Sequence, residues 1–243
     1  MSRDRIYTKA HEATGPFEFS ERVVRVFPDM IGRSVPGYHL LLEITGLLAR
    51  QVVVDDSRVY DLGCSLGAAS LEVRRSIHND NVEILAIDNA PAMIERCQAL
   101  INEDNSRIPV RVIEGNILDH PIENASLIVM YFTLQFIEPE KRAFVVERIF
   151  KGLRPGGVFL LAEKLASGDE FEQDWLTDSH HDFKRAQGYS DLEIARKRQA
   201  LDNVLIPDTR TTHHRRLKNA GFERVVDYFQ CLNFSAMAAF RAP

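Results

Sequence analysis

The stretch Val59-Tyr60-Asp61-Leu62-Gly63-Cys64-Ser65-Leu66-Gly67 constrains this chain more than any other. Val59 to Leu62 reads as a short buried strand, the glycines break it, and a helix begins near Ala68. Glycine has no Cβ, so such a turn lets a ligand lie against the backbone. The helix behind the turn offers unpaired N–H groups and a positive dipole end to a carboxylate or phosphate. The spacing departs from the G-x-G-x-x-G dinucleotide fingerprint, because Cys64 is followed by Ser65 rather than glycine. A fold that uses these glycines only for tight packing would show the same letters, so context decides.

Two later strand ends supply that context. Residues 82–89, Val-Glu-Ile-Leu-Ala-Ile-Asp-Asn, form an apolar strand ending in a carboxylate. In a βαβ unit that end lies beside the first glycine turn, which puts Asp88 in place to hold both ribose hydroxyls of a nucleoside. At Val112-Ile113-Glu114-Gly115-Asn116-Ile117 the Asn116 amide is placed to read an adenine edge. Together the three pieces resemble the adenosine half-site of class I methyltransferases, which bind S-adenosylmethionine.

The remaining pattern fits an α/β, Rossmann-like fold. Strands are expected at about 58–62, 82–87, 109–114, 125–132 and 157–163, and helices near 68–77, 91–103 and 139–152. Continuous apolar runs such as Ser126-Leu127-Ile128-Val129-Met130 argue for a parallel sheet covered on both faces. Two tail strands, 222–229 and 232–240, complete a seven-stranded, mostly parallel sheet.

One domain over 1–243 is expected, with two additions to the alternating core. The first, 1–52, is an N-terminal helical flap. It begins polar and loosely held over 1–19, Ser20 caps a helix that Pro28 ends, and a second helix runs from His39 to Gln51. Arg33 and Tyr38 are the flap's polar tips most able to reach a ligand. The second, 164–206, is an insertion of two or three helices with Phe171, Trp175, Leu176, Leu192, Ile194, Leu201 and Val204 at apolar positions. Its cation-dense centre reads either as a solvated face with i, i+4 pairs or as a lid that binds carboxylates.

Composition narrows the partners. A formal charge of −5 gives no bulk reason to dock on nucleic acid. Three cysteines, Cys64, Cys97 and Cys231, without C-x-x-C spacing fit a reducing cytosol and predict neither a zinc site nor a disulfide framework. Adjacent His180 and His181 point apart on a helix, so no shared metal is expected. No run approaches the about 18–20 apolar residues of a membrane span.

Longer runs carry a closer resemblance. Val-Phe-Pro-Asp-Met at 26–30, Arg-Ser-Val-Pro-Gly-Tyr at 33–38, the glycine turn with Ala68-Ala69, Ile87-Asp88-Asn89 and Pro-Ala-Met-Ile-Glu-Arg-Cys at 91–97 form the first group. Phe-Thr-Leu-Gln-Phe at 132–136, His-Asp-Phe-Lys-Arg-Ala at 181–186 and Phe229-Gln230-Cys231 form the second. Over nearly the whole chain these resemble the carboxy-S-adenosyl-L-methionine synthase family. The resemblance implies conversion of S-adenosyl-L-methionine and prephenate to carboxy-S-adenosyl-L-methionine and phenylpyruvate by a cytoplasmic homodimer. The product would then serve a separate enzyme that modifies the tRNA wobble uridine.

The resemblance also implies the ligand positions. Tyr38 would contact the ligand from the flap, Gly63, Cys64 and Ser65 would line its methionine portion, and Asp88 with Asn89 would take the ribose. Asn116 and Ile117 would flank adenine, and Arg198 would pair with the new carboxylate, within its own subunit or across the dimer. The family usually has Asp at Asn116, and Asn at Tyr131, a position that opens onto the reactive end of the ligand. No side chain announces itself as a base, and hydroxide leaving prephenate can serve. Two other readings remain at this stage: a small-molecule methyltransferase, and a non-catalytic module that binds S-adenosylmethionine or a derivative.

Overall fold

β1 (Arg58–Leu62) lies inside the sheet, parallel to β2 (Glu83–Asp88) on one side and β4 (Ala125–Tyr131) on the other. The computed structural model describes residues 3–8 and 17–243. β3 (Val110–Glu114) extends the parallel run past β2, and β5 (Leu153–Ala166) extends it past β4. The antiparallel pair β7 (Arg224–Cys231) and β8 (Phe234–Phe240) closes the far side, giving the order β3-β2-β1-β4-β5-β8-β7. A two-residue strand, β6 (Asp208–Thr209), pairs with the end of β5 and makes an eighth. The seven-stranded expectation therefore holds with this short addition.

The central strands are apolar on both faces because both faces are covered. Tyr60, Leu62, Ile128 and Met130 pack with α6 (Arg142–Gly152) and α9 (Arg210–Ala220), whereas Val59, Ile84, Leu127 and Val129 pack with α3 (Tyr38–Val52) and α4 (Ala68–Ser76). Ala86 meets Cys97 and Ile101 of α5 (Pro91–Glu103) on that second side.

Four readings need correction. α1 (Glu21–Val24) stops before Pro28, which sits in the first turn of α2 (Phe27–Ser34), where a missing N–H and a fixed φ are assets. Ser20 occupies the N-cap of α1, but its side chain makes no capping bond. α9 was not anticipated, because only His213 and Leu217 of its residues are buried and such a thin stripe leaves no helical period to read. The fourth concerns the insertion, which consists of α7 (Glu170–Ala186) and α8 (Asp191–Leu201). Phe171 and Trp175, read from their spacing as apolar helix positions, are exposed, while α7 buries His180 and Lys184 and α8 buries Ile194, Lys197 and Ala200. These helices face a cavity, and part of what they turn inward is charge.

Local signals fix both helices of the insertion. The Asp169 carboxylate accepts the Glu172 N–H at 2.8 Å to start α7, and Ser190 with Glu193 forms a capping box at α8. The expectation of a loose 1–19 falls partly on residues outside the described set. Within that set, Phe17 N–H donates to the Ala200 carbonyl at 2.9 Å, and Phe19 packs edge-on against Phe136 with ring centres 5.7 Å apart.

Candidate functional site

A cavity of about 540 Å³ opens at the carboxyl ends of β1 to β4 and is roofed by α2, α3, α7 and α8. This is where open α/β sheets bind ligands, because strand ends and helix N-termini leave polar backbone there. Nine of the ten residues singled out from the sequence line it: Tyr38, Gly63, Cys64, Ser65, Asp88, Asn89, Asn116, Ile117 and Tyr131. Arg198 does not; it lies exposed on α8, one residue beyond the buried, lining Lys197.

The glycine turn works differently from the sequence reading. Gly63 has φ +78°, and a Cβ there would collide with the Thr133 side chain; Gly67 has φ +77°, and its Cβ would fall 2.7 Å from Cys97 Sγ. The missing Cβ atoms make room for the protein's own wall, and Gly63 also lines the cavity. Where the fingerprint has its second glycine, Ser65 adopts φ +51°, a strained choice for a side-chain-bearing residue. The Ser65 N–H donates to Asp88 Oδ2 at 2.8 Å, which fixes that conformation. Cys64 is buried, and its thiol is pushed up by the adjacent Cys97 thiol and then by burial, so it packs rather than reacts.

Asp88 is an organiser as well as a ribose candidate. Its Oδ1 accepts the Ala90 N–H at 2.9 Å, so both oxygens are half engaged, and burial raises its pKa. Asn89 stands exposed at the rim of the cavity. Asn116 Oδ1 accepts the Leu118 N–H at 2.9 Å, an Asx-type turn that directs the amide by its carbonyl. Asp61, which the sequence reading left out of the site, also lines the cavity. Its Oδ2 accepts both the N–H and the hydroxyl of Ser70 at 3.0 and 2.7 Å, and burial lifts it to about 6.

The other end of the cavity is built by the flap, the lid and the end of β5. Gly37, at φ +75°, starts α3 where a Cβ would lie 2.6 Å from the Phe229 ring, and Tyr38 follows directly onto the cavity. The Tyr131 hydroxyl bonds Thr45 Oγ1 at 2.7 Å and the Tyr228 hydroxyl at 2.8 Å, so the ring, not the phenol oxygen, forms the wall. Arg33 does not reach the cavity. It donates to the Gln187 carbonyl at 2.8 Å and to Asp29 at 3.0 Å, lies over the Tyr189 ring, and so clamps α2 to the α7–α8 turn. His180 is held 2.7 Å from the Ser34 carbonyl, and burial lowers it to about 3, so its ring is committed to the fold.

Glu163 anchors the wall between the two ends. Oε1 accepts the N–H groups of Thr133 and Leu134 at 3.1 and 2.9 Å, and Oε2 accepts that of Gln135 at 3.1 Å. Burial pushes Glu163 up to about 8, while these three donors favour its charged form. The segment it grips includes Phe132, another strained residue, at φ +55°. Among the described residues, the carboxylates that line the cavity, Asp61, Asp88 and Glu138, already accept hydrogen bonds, so none stands free as a base.

A family model described as a methyltransferase domain matches residues 59–157. The whole fold superposes on human N-acetylserotonin methyltransferase in complex with SAM, with a TM-score of 0.60 at 17% identity, over 92% of this chain and 56% of that one. An O-methyltransferase family protein from Burkholderia thailandensis gives 0.65 at 16% identity, over 92% and 61%. The chain has the class I methyltransferase fold. It is 51% identical over 240 residues to the carboxy-S-adenosyl-L-methionine synthase of Escherichia coli strain K12 / DH10B, spanning 99% of this chain and 97% of that protein. It belongs to the carboxy-S-adenosyl-L-methionine synthase family.

Proposed function

We propose that the chain binds S-adenosyl-L-methionine across the ends of β1, β2 and β3 and, with prephenate, converts it to carboxy-S-adenosyl-L-methionine and phenylpyruvate. The observation that carries this reading is a single cavity joining an adenosine half-site to a cation-lined end with, among the described residues, no free carboxylate base. Methyl transfer to a hydroxyl acceptor commonly uses a positioned base or a metal to remove the acceptor's proton, whereas this chemistry does not.

The step balances without an external reagent. Prephenate loses CO2 and hydroxide as its ring becomes aromatic. The hydroxide removes a proton from the sulfonium methyl group, giving water and an ylide, and the ylide carbon bonds to CO2 to give the carboxymethyl sulfonium. The protein's part is to hold the two reactants in contact and keep water out. Tyr38 and Tyr131 wall the reactive end, and Asp88, Asn89, Asn116 and Ile117 hold the nucleoside. Arg198 pairs with the new carboxylate, within its own subunit or from a second copy of the chain. The product supplies the carboxymethyl group for a tRNA wobble uridine.

Mass spectrometry of the small molecule released from freshly purified, denatured protein tests this reading. A species heavier than S-adenosylmethionine by one CO2 is expected, and its formation from added prephenate completes the case. Demethylated product formed with no prephenate requirement would overturn it in favour of ordinary methyl transfer.

A further inference from the structure

Three lysines converge on the lid end of the cavity from three elements: Lys164 of β5, Lys184 of α7 and Lys197 of α8. Lys184 and Lys197 are each 9% exposed. A buried amine ordinarily needs a partner. Lys197 has one, because its Nζ donates to Ser34 Oγ at 3.0 Å and Asp4 lies near enough to favour its charge. Lys164 and Lys184 have no hydrogen bond or ion pair from their amines among the described residues. The charges that face Lys184 are Lys197 and Arg198 from α8 and Lys164 from β5, with His180 and His181 beside it on its own helix. Lys164 faces Arg198. Every one of these groups is basic.

A like-charge cluster around an open space costs folding free energy that an anion would return. The surrounding chain holds the cluster firmly in place. The Lys164 N–H donates to Gln135 Oε1 at 3.2 Å, and the helices bearing Lys184 and Lys197 both begin with side-chain caps. We infer that Lys164 and Lys184 form the seat of a dianionic carboxylate co-substrate, with Lys197 as its fixed flank, across the cavity from the adenosine half-site. This seat is distinct from Arg198, which serves the carboxylate of the product, and it rests on the carboxy-transfer reading above.

Burial and the neighbouring cations lower Lys184 to about 7, so above that pH the amine is neutral in the empty cavity. A bound carboxylate restores the charge, and binding then takes up a proton.

The test is calorimetric titration of prephenate, and separately malonate, into full-length protein saturated with S-adenosylhomocysteine, which cannot react. Lys164→Met and Lys184→Met are each expected to weaken prephenate about tenfold or more while S-adenosylhomocysteine binds within about twofold of wild type. Lys184→Arg should keep most of the affinity. At pH 8.5 the binding heat of the wild type should depend on buffer ionisation, and that of Lys184→Met should depend on it less, the remainder coming from Lys164 and from Lys197, which burial lowers to about 8. The melting temperature of Lys184→Met should equal or exceed that of wild type, because removing one charge relieves repulsion; a marked fall would assign the lysine a structural role and overturn the inference. Unchanged prephenate affinity in both methionine variants overturns the seat but leaves the carboxy-transfer reading standing. Malonate binding that Lys184→Met abolishes, with no prephenate binding, keeps the seat and overturns prephenate as its occupant. Wild-type protein that binds neither dianion overturns the seat.

Discussion

The two ends of the cavity are made from different kinds of chain. The adenosine end is built largely from residues 59–157, the span that matches a methyltransferase domain, with strand ends and a glycine turn at its centre. Its side chains double as scaffolding: Asp88 holds Ser65 and Ala90, and Asn116 holds Leu118. The lid end draws Tyr38, Lys164, Lys184 and Lys197 from outside that span, and two of its amines have no partner among the described residues. The comparison teaches where novelty in such a fold resides. On the proposed function, grip on the adenosyl group comes with the sheet, and the choice of reaction lies in the charge of what covers it.

The adenosine end should break first when its backbone is touched. Gly63→Ala brings a Cβ into Thr133 at φ +78° and should cost about 3 kcal/mol or more in denaturant unfolding. Thr133→Ala in the same chain should recover part of that loss, because it removes the atoms struck. The lid end should break in chemistry rather than in stability. Arg198→Leu should lower carboxylated product about a hundredfold in a prephenate turnover assay while S-adenosylhomocysteine affinity stays near wild type.

The two ends should also titrate in opposite senses in the ligand-free protein. Asp61 is raised from 3.8 to about 6, so the folded state holds that proton more tightly than the unfolded chain, and its contribution makes stability fall as pH rises through that window. Lys184 is lowered from 10.5 to about 7, so the unfolded chain binds more protons and its contribution makes stability rise between those values. Denaturation midpoints across pH, compared with Asp61→Asn and Lys184→Met, should each lose one slope. The smallest effect is expected at Asn116→Asp, where an added charge facing the adenine amino group should tighten S-adenosylhomocysteine by about twofold to fivefold in calorimetry.

Legibility followed the same division. Strand ends and turn residues announce themselves because backbone geometry restricts which residues can stand there, and β1, β2 and β4 fall within one residue of their expected bounds. The lid's helices and their cation-dense centre were legible, but not which of their side chains turn inward. Apolar periodicity assumes that a helix turns its greasy side inward, yet α7 exposes Phe171 at 79% and Trp175 at 57% and buries Lys184. A buried lysine is indistinguishable in sequence from a solvated one until the cavity that surrounds it is known. Arg33 misled for a related reason: its length suits a ligand, but Asp29, Gln187 and Tyr189 lie nearer. Ser65 shows the converse: a serine stands where the fingerprint has glycine, yet it holds a positive φ of +51°, the kind of conformation glycine favours.

The grip of Glu163 on Thr133, Leu134 and Gln135 has a consequence for distance. Its neighbour in β5 is Lys164, so the residue that anchors one wall and the residue whose amine faces across the space are separated by a single step of strand, about 3.3 Å. The strand acts as a ruler on which both marks are cut. Swinging α7 and α8 outward would wet the interior and carry off two of the three lysines, but it would leave that spacing unchanged. The spacing between wall and amine therefore belongs to the sheet, whatever the position of the helices that cover it.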